Sequence, residues 1–208
     1  MKELVWGLLQ ALLALKELKF AHLDIKPQNC FVRGAGPGGA PRPHQLIVCA
    51  IPLSSACRIQ LIGIELGDFG TGTLGGVGDS QVGTLPYMPP EIQDNDNVGR
   101  VYDGHAADLW SSGASIARMV LGRPPFDYLL GTSQPTSSDS SVVAAHNAVL
   151  AARELALKKG AGFEARAFED EGRFYLHSLL QRFLNPQPSA RGRLEEALQH
   201  PYFLPHNK

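Results

Sequence analysis

The alternation of apolar and polar positions divides the chain into helical and extended stretches. Residues 2 to 19 contain no Pro and are dense in Leu and Ala, both strong helix formers. Apolar residues surround most of that run, which predicts a helix buried on most faces and not a surface amphipath. Cys30-Phe31-Val32 reads as a short strand, and Leu46 to Ile51 and Ile59 to Leu66 are further β-branched, apolar runs. Between them, Arg33 to Pro43 is dense in Gly and Pro, which break regular structure. Together these runs predict a small β-hairpin resumed after an insertion covering about residues 33 to 58. A later helix reaches Met119-Val120-Leu121 and stops at Gly122-Arg123-Pro124-Pro125-Phe126, where Gly ends helices and Pro cannot continue them. Gly131 to Ser141 is a Ser/Thr-rich loop, and Val142 to Lys159 is an Ala-rich helical stretch.

Composition bounds the class. With 208 residues, 44% hydrophobic and 19% charged, residues 1–208 read as one globular domain with a real core. Nineteen basic against twenty acidic residues give a net charge of -1, so there is no electrostatic case for nucleic acid or for an anionic membrane surface. Cys30, Cys49 and Cys57 are odd in number and lack paired CxxC spacing, which argues against a disulfide framework and a structural zinc site. A reducing, intracellular and cytoplasmic setting is the expectation. Met1-Lys2 followed by the apolar run from Leu4 to Leu15 has the outline of a secretory signal. Glu3 and Gln10 interrupt it, no small-x-small cleavage site follows, and Lys16-Glu17-Leu18-Lys19 continues the helical pattern. No run is long enough to span a bilayer as a helix.

The most demanding pattern is His22-Leu23-Asp24-Ile25-Lys26-Pro27-Gln28-Asn29. The stretch resembles the catalytic loop of protein kinases, H-R-D-x-K-x-x-N, at every position except Leu23. The phosphoryl transfer that this resemblance implies needs a carboxylate to orient the attacking hydroxyl, a cation near the transferring phosphate, and an oxygen ligand for magnesium. Asp24, Lys26 and Asn29 would fill those three roles. Gly67-Asp68-Phe69-Gly70 resembles the D-F-G motif, in which Asp68 would chelate magnesium and Phe69 would pack beneath the site beside His22. Asn29 and Asp68 are the metal ligands so implied. Asn29, Phe31 and Asp68 are the implied nucleotide contacts. Phe31 falls where the family places an apolar residue under the adenine, and plain core packing accounts for it equally well.

Further motifs follow in the family's order. Gly83 to Glu91 resembles the segment ending in A-P-E, with Pro89 for the alanine. Thr84 together with Lys26 is the Ser/Thr form of that pattern. The resemblance implies that Glu91 pairs with Arg191, and that Asp108, in Asp108-Leu109-Trp110-Ser111-Ser112-Gly113, opens the central helix and accepts backbone N–H bonds from the catalytic loop. Phe174 to Leu184 and Leu194 to His200 resemble the last two helices. Thr71 to Gln81 corresponds to a flexible activation loop, with Thr71, Thr73 and Ser80 as candidate phosphoacceptors. The family's phosphate binds basic residues that include the arginine before the catalytic aspartate. Leu23 stands there and cannot hold a phosphate, so loop phosphorylation is not expected to be the switch.

The expected fold is therefore mainly α with a short β-hairpin, a protein-kinase-like C-lobe. The insertion and a region of about residues 131–172 depart from the family. Gly70-Thr71-Gly72-Thr73-Leu74-Gly75 spells G-x-G-x-x-G, but no lysine-bearing strand follows, and the small lobe is expected to be missing from this sequence. The implied function is transfer of the ATP γ-phosphate to Ser/Thr of protein substrates, with ATP and Mg2+ as cofactors. A second reading is an inactive scaffold lobe, whose open face around Phe31 and Phe69 docks a partner protein. A third is part of a longer kinase.

Overall fold

The computed structural model of the protein describes residues 1–34, 45–46, 61–93, 100–122 and 171–204. Helix α1, Lys2–Glu17, buries Leu4, Val5, Leu8, Leu9 and Leu12. These positions recur at helical spacing along one stripe. The stripe is narrower than the composition suggests, because Gln10 and Ala14 are exposed and Trp6 is 41% exposed. The helix is amphipathic, and its outer apolar residues reflect Leu/Ala helix propensity more than burial. The run from Leu4 to Leu15 is a core helix of the domain. Among the described residues, no helix is long and apolar enough to cross a membrane.

After α1 the chain turns through Lys19, at φ 53°, into β1, Phe20–Ala21. Strands β2, Cys30–Gly34, and β4, Leu61–Leu66, pair antiparallel with Cys30 opposite Leu66 and Phe31 opposite Glu65. This is the expected hairpin. Strand β3, Gln45–Leu46, adds to the other edge of β2. The rest of the insertion, with Cys49 and Cys57, lies outside the described residues, as does nearly all of the 131–172 region with the predicted helix Val142 to Lys159.

The predicted loop from Thr71 to Gln81 carries regular structure. Strand β5, Thr73–Leu74, pairs with β1, and β6, Val77–Gly78, pairs with β7, Tyr102–Asp103. Gly75 and Gly76, at φ 86° and 71°, make the turn between β5 and β6 in a region that favours glycine. The G-x-G-x-x-G spelling is thus a strand and turn pinned to the core.

Beyond the short helix α2, Pro90–Gln93, the helix α3, Gly104–Leu121, is buried continuously from Ala106 to Ala117. The sequence places its start at Asp108. It begins a turn earlier, because Asp103 is the N-cap and accepts from the backbone N–H groups of His105 at 2.9 Å and Ala106 at 3.1 Å. Gly122, left-handed at φ 73°, ends it. Helices α4, Glu171–Phe183, and α5, Leu194–Leu198, complete the main core, in which Trp110, Phe183, Leu179 and Leu180 are fully buried. A smaller cluster of Ala21, Leu23, Met88, Ile92 and Ala107 lies under the loop from His22 to Asn29.

Glu91 and Arg191 meet across this framework. Arg191 is wholly buried; its Nη1 and Nη2 donate to Glu91 Oε1 and Oε2 at 2.5 and 2.7 Å. Nη1 and Nε also donate to the carbonyls of Ala106 and Asn185, each at 2.9 Å, and the guanidinium lies 5.0 Å over the Trp110 ring. This ties α2 to the turn before α5. Removing the guanidinium leaves the partly buried Glu91 carboxylate uncompensated and the Ala106 and Asn185 carbonyls without this donor, so Arg191→Met should lower the unfolding free energy by about 3–5 kcal/mol in urea titration. A loss under about 1 kcal/mol would mean the pair behaves as an exposed surface ion pair.

Candidate active site

The loop from His22 to Asn29 runs between β1 and β2 and is held from below by α3. Asp108, fully buried in α3, accepts the backbone N–H of His22 on Oδ2 at 2.7 Å and that of Leu23 on Oδ1 at 2.8 Å. Burial pushes its carboxyl up to about 7, against the pull of these two donors. Leu23, at φ 65°, turns the loop sharply and drops its side chain into the smaller apolar cluster.

His22 is fully buried. Its Nδ1 accepts the backbone N–H of Asp24 at 3.3 Å, and its Nε2 lies 2.9 Å from the carbonyl oxygen of Gly67. The first bond requires an unprotonated Nδ1, so the ring is neutral and Nε2–H donates to Gly67. Burial lowers its pKa below the ordinary 6.5, partly offset by Gly67 and by the charges of Asp24 and Asp68. The Phe69 ring is 5.0 Å from that of His22, and Thr71 Oγ1 donates to the His22 carbonyl at 3.1 Å.

Around Asp24 three polar side chains converge. Lys26 Nζ donates to Asp24 Oδ2 at 2.6 Å and to Thr84 Oγ1 at 2.9 Å. Thr84 Oγ1 in turn donates to Asp24 Oδ1 at 2.6 Å. Asn29 Nδ2 donates to the Asp24 carbonyl at 2.9 Å and to Oδ2 at 3.2 Å. Burial raises the Asp24 carboxyl, but the bonds from Lys26, Thr84 and Asn29 outweigh it and hold the pKa below the ordinary range. Asp24 is therefore an ionised, buried carboxylate at neutral pH.

The D-F-G stretch joins the loop through the Gly67 N–H, which donates to the Asn29 carbonyl at 2.9 Å. Asp68 is exposed, at φ 60°. Phe31 is half-buried, with its ring so close to Gly67 that a Cβ there would lie 2.8 Å from Cε2. Among the described residues no three His, Cys, Asp or Glu side chains cluster as a metal site.

Several supports lie outside the site residues expected from the sequence. Ser115 Oγ lies 2.8 Å from the Ser111 carbonyl and 3.3 Å from that of Ile25, and Ser111 Oγ donates to the Tyr87 carbonyl at 2.9 Å. Gly83, at φ 106°, lets the Thr84 segment approach the loop, since a Cβ would lie 2.6 Å from the Leu23 carbonyl oxygen. The serines had one readable signal, polar residues at helical spacing inside an otherwise apolar helix. Gly83 opens the A-P-E-like segment and Thr71 was a candidate phosphoacceptor, but neither residue type signalled a contact with the His22–Asn29 loop.

The profile of the protein kinase domain matches residues 1–203. The chain belongs to the protein kinase family. It is 34% identical over 123 residues, 57% of its length, to mitogen-activated protein kinase kinase kinase nsy-1 of Caenorhabditis elegans, covering 6% of that protein. It is 31% identical over 146 residues, 68% of its length, to human mitogen-activated protein kinase kinase kinase 6, covering 10%. With serine/threonine-protein kinase ATG1 of Colletotrichum lindemuthianum it shares 33% identity over 127 residues, 57% of its length, covering 18%. The chain thus spans a small part of the curated relatives it matches.

The His22 contacts of this protein kinase have a pH signature. With a folded pKa below 6.5, His22 contributes stability that is complete above pH 6.5 and lost as pH falls through the folded value. Asp108 runs the other way, since its raised pKa makes its contribution fall as pH rises through about 7. Comparison with His22→Phe isolates the histidine. The advantage of the native protein over this variant in urea unfolding should shrink from pH 7 to pH 5. A gap that stays constant would mean that His22 is not held neutral by its contacts.

Proposed function

We propose that this chain is the catalytic part of a protein serine/threonine kinase, transferring the γ-phosphate of ATP to Ser or Thr hydroxyls of protein substrates inside the cell. The observation that carries the reading is the closed constellation of Asp24, Lys26, Thr84 and Asn29. Asp24 Oδ2 is occupied by Lys26 and Asn29, whereas Oδ1 accepts from Thr84 and has a second lone pair for an incoming hydroxyl. Asp24 would orient that hydroxyl and take its proton as the oxygen attacks phosphorus. Lys26 would place positive charge beside the transferring group, and Thr84 would tie the substrate-binding segment to the base.

The donor set fits magnesium. Asn29 turns its amide nitrogen to Asp24, which leaves its carbonyl oxygen as the end able to bind a cation, and Asp68 supplies an exposed carboxylate beyond Gly67. Magnesium is usually held by one or two such protein oxygens together with phosphates and water. Bound with ATP, it would neutralise the phosphate charge. Phe31, half-buried against Gly67, is the apolar residue proposed to lie under the adenine. The Ser/Thr preference rests on Lys26 bonding Thr84, and on relatives that bear the name serine/threonine-protein kinase.

Phe69, 47% exposed, favours a second reading in which this face docks a partner protein and does no chemistry. One titration separates the two. ATP with magnesium at 100-fold over Kd should stabilise the chain by about 2.7 kcal/mol, and Asp68→Ala should abolish that gain. Asp24→Asn should keep the binding and reduce phosphotransfer at least about 100-fold. No stabilisation of the native chain would leave the docking reading.

Leu23 adds a regulatory expectation. Its side chain lies in the apolar cluster with Met88 and Ile92, where an arginine would offer a phosphate its charge. In the active form, Thr73→Ala combined with Ser80→Ala should leave phosphotransfer within about twofold of native, the scale of a change within 0.5 kcal/mol. A loss of tenfold or more would identify a required phosphate. Thr71 is left out of this test because its hydroxyl bonds the His22 carbonyl.

A further inference from the structure

Tyr102 belongs to none of the catalytic or metal-binding residues above, yet it touches three parts on which they depend. Its backbone pairs with Gly78 across the β6–β7 ladder. Its ring lies so close to Gly78 that a Cβ there would sit 2.3 to 2.4 Å from Cζ, Cε2 and Oη, so the strand presses against the phenol with no side chain between them. The hydroxyl donates to the Ser80 carbonyl at 2.8 Å. The same ring packs on the cluster of Ala21, Leu23, Met88, Ile92 and Ala107, with Val82 beside it. Asp103, the next residue, caps the helix that carries Asp108.

The segment Tyr102 grips leads directly to the site. From Ser80 the chain passes Val82, packed on that cluster, and Gly83, which lies over the Leu23 carbonyl, to Thr84 on Asp24. We propose that Tyr102 is the latch that orders residues 78–84 and thereby positions the protein substrate against Asp24, by an unmodified side chain and not by a phosphate. It is a positioning residue, and this role rests on the kinase reading above. Burial pushes the phenol up to about 12, with Asp79, Asp108 and Glu91 adding to the effect, so it remains a donor throughout the physiological range.

The test is Tyr102→Phe, which keeps the ring and deletes only the bond to Ser80. That bond is exposed, so its loss belongs at the low end of hydrogen-bond contributions and should change the local opening equilibrium about threefold. Amide hydrogen exchange should accelerate by about that factor at residues 79–83, with α1 and α3 unchanged. Where phosphotransfer is measured, KM for a Ser/Thr peptide should rise by a similar factor at constant kcat. Unchanged exchange at 79–83, or acceleration spread evenly over the chain, overturns the latch. Local acceleration with KM unchanged overturns the positioning role. Absence of phosphotransfer from both proteins counts against the proposed activity alone, and the exchange pattern then decides the latch by itself.

Discussion

The carboxylate of Asp108 beneath the amides of His22 and Leu23 is the contact from which the site is built. It joins the most deeply buried helix to the loop that bears the candidate base, so the loop inherits the rigidity of the core. Removing a carboxylate from water costs several kcal/mol even after relaxation, while each bond to a charged acceptor returns about 1.5–3 kcal/mol. Desolvation outweighs the two bonds, which is the physical content of a carboxyl raised to about 7. The contact therefore adds little net stability. It specifies geometry, because the loop presents the N–H groups of His22 and Leu23 to the two oxygens, one to each.

The rest of the loop follows from that anchor. Presenting two successive N–H groups to one carboxylate bends the backbone at Leu23 to φ 65°, a conformation that costs a residue other than glycine roughly 1–2 kcal/mol. Burying the Leu23 side chain almost completely, at 5% exposure, returns about as much. The bend directs His22 toward Gly67 and Asp24 toward Lys26 and Thr84. One strained residue thus orients two candidate site residues, and Gly83 is small enough to close over the loop.

How much of this was legible depended on sequence distance. Asp24, Lys26 and Asn29 are neighbours in one loop, and their spacing identified the family because the chemistry tolerates little variation there. The hairpin of β2 and β4 was readable from two β-branched runs, and the end of α3 from Gly122. Its start was not, since Asp108 and Asp103 are both plausible caps by type and only the fold shows which carboxylate meets the free N–H groups of the helix. The exposed outer face of α1 was hidden by its Leu and Ala content, where propensity imitates burial. Tyr102 was beyond reach for another reason: its partner, the Ser80 carbonyl, is distant in sequence, and a backbone carbonyl has no residue type to recognise.

Leu23 also decides what kind of force orders the segment from β6 to Thr84. A phosphate held by arginine is an electrostatic tie, screened by salt and removable by hydrolysis. Packing of Leu23, Val82, Met88 and Ile92 with the Tyr102 ring is an apolar tie that salt does not screen and no phosphatase can remove. The strand pairs β1–β5 and β6–β7 add backbone bonds of the same permanent kind. A segment built this way is held by the packing and pairing of the fold itself.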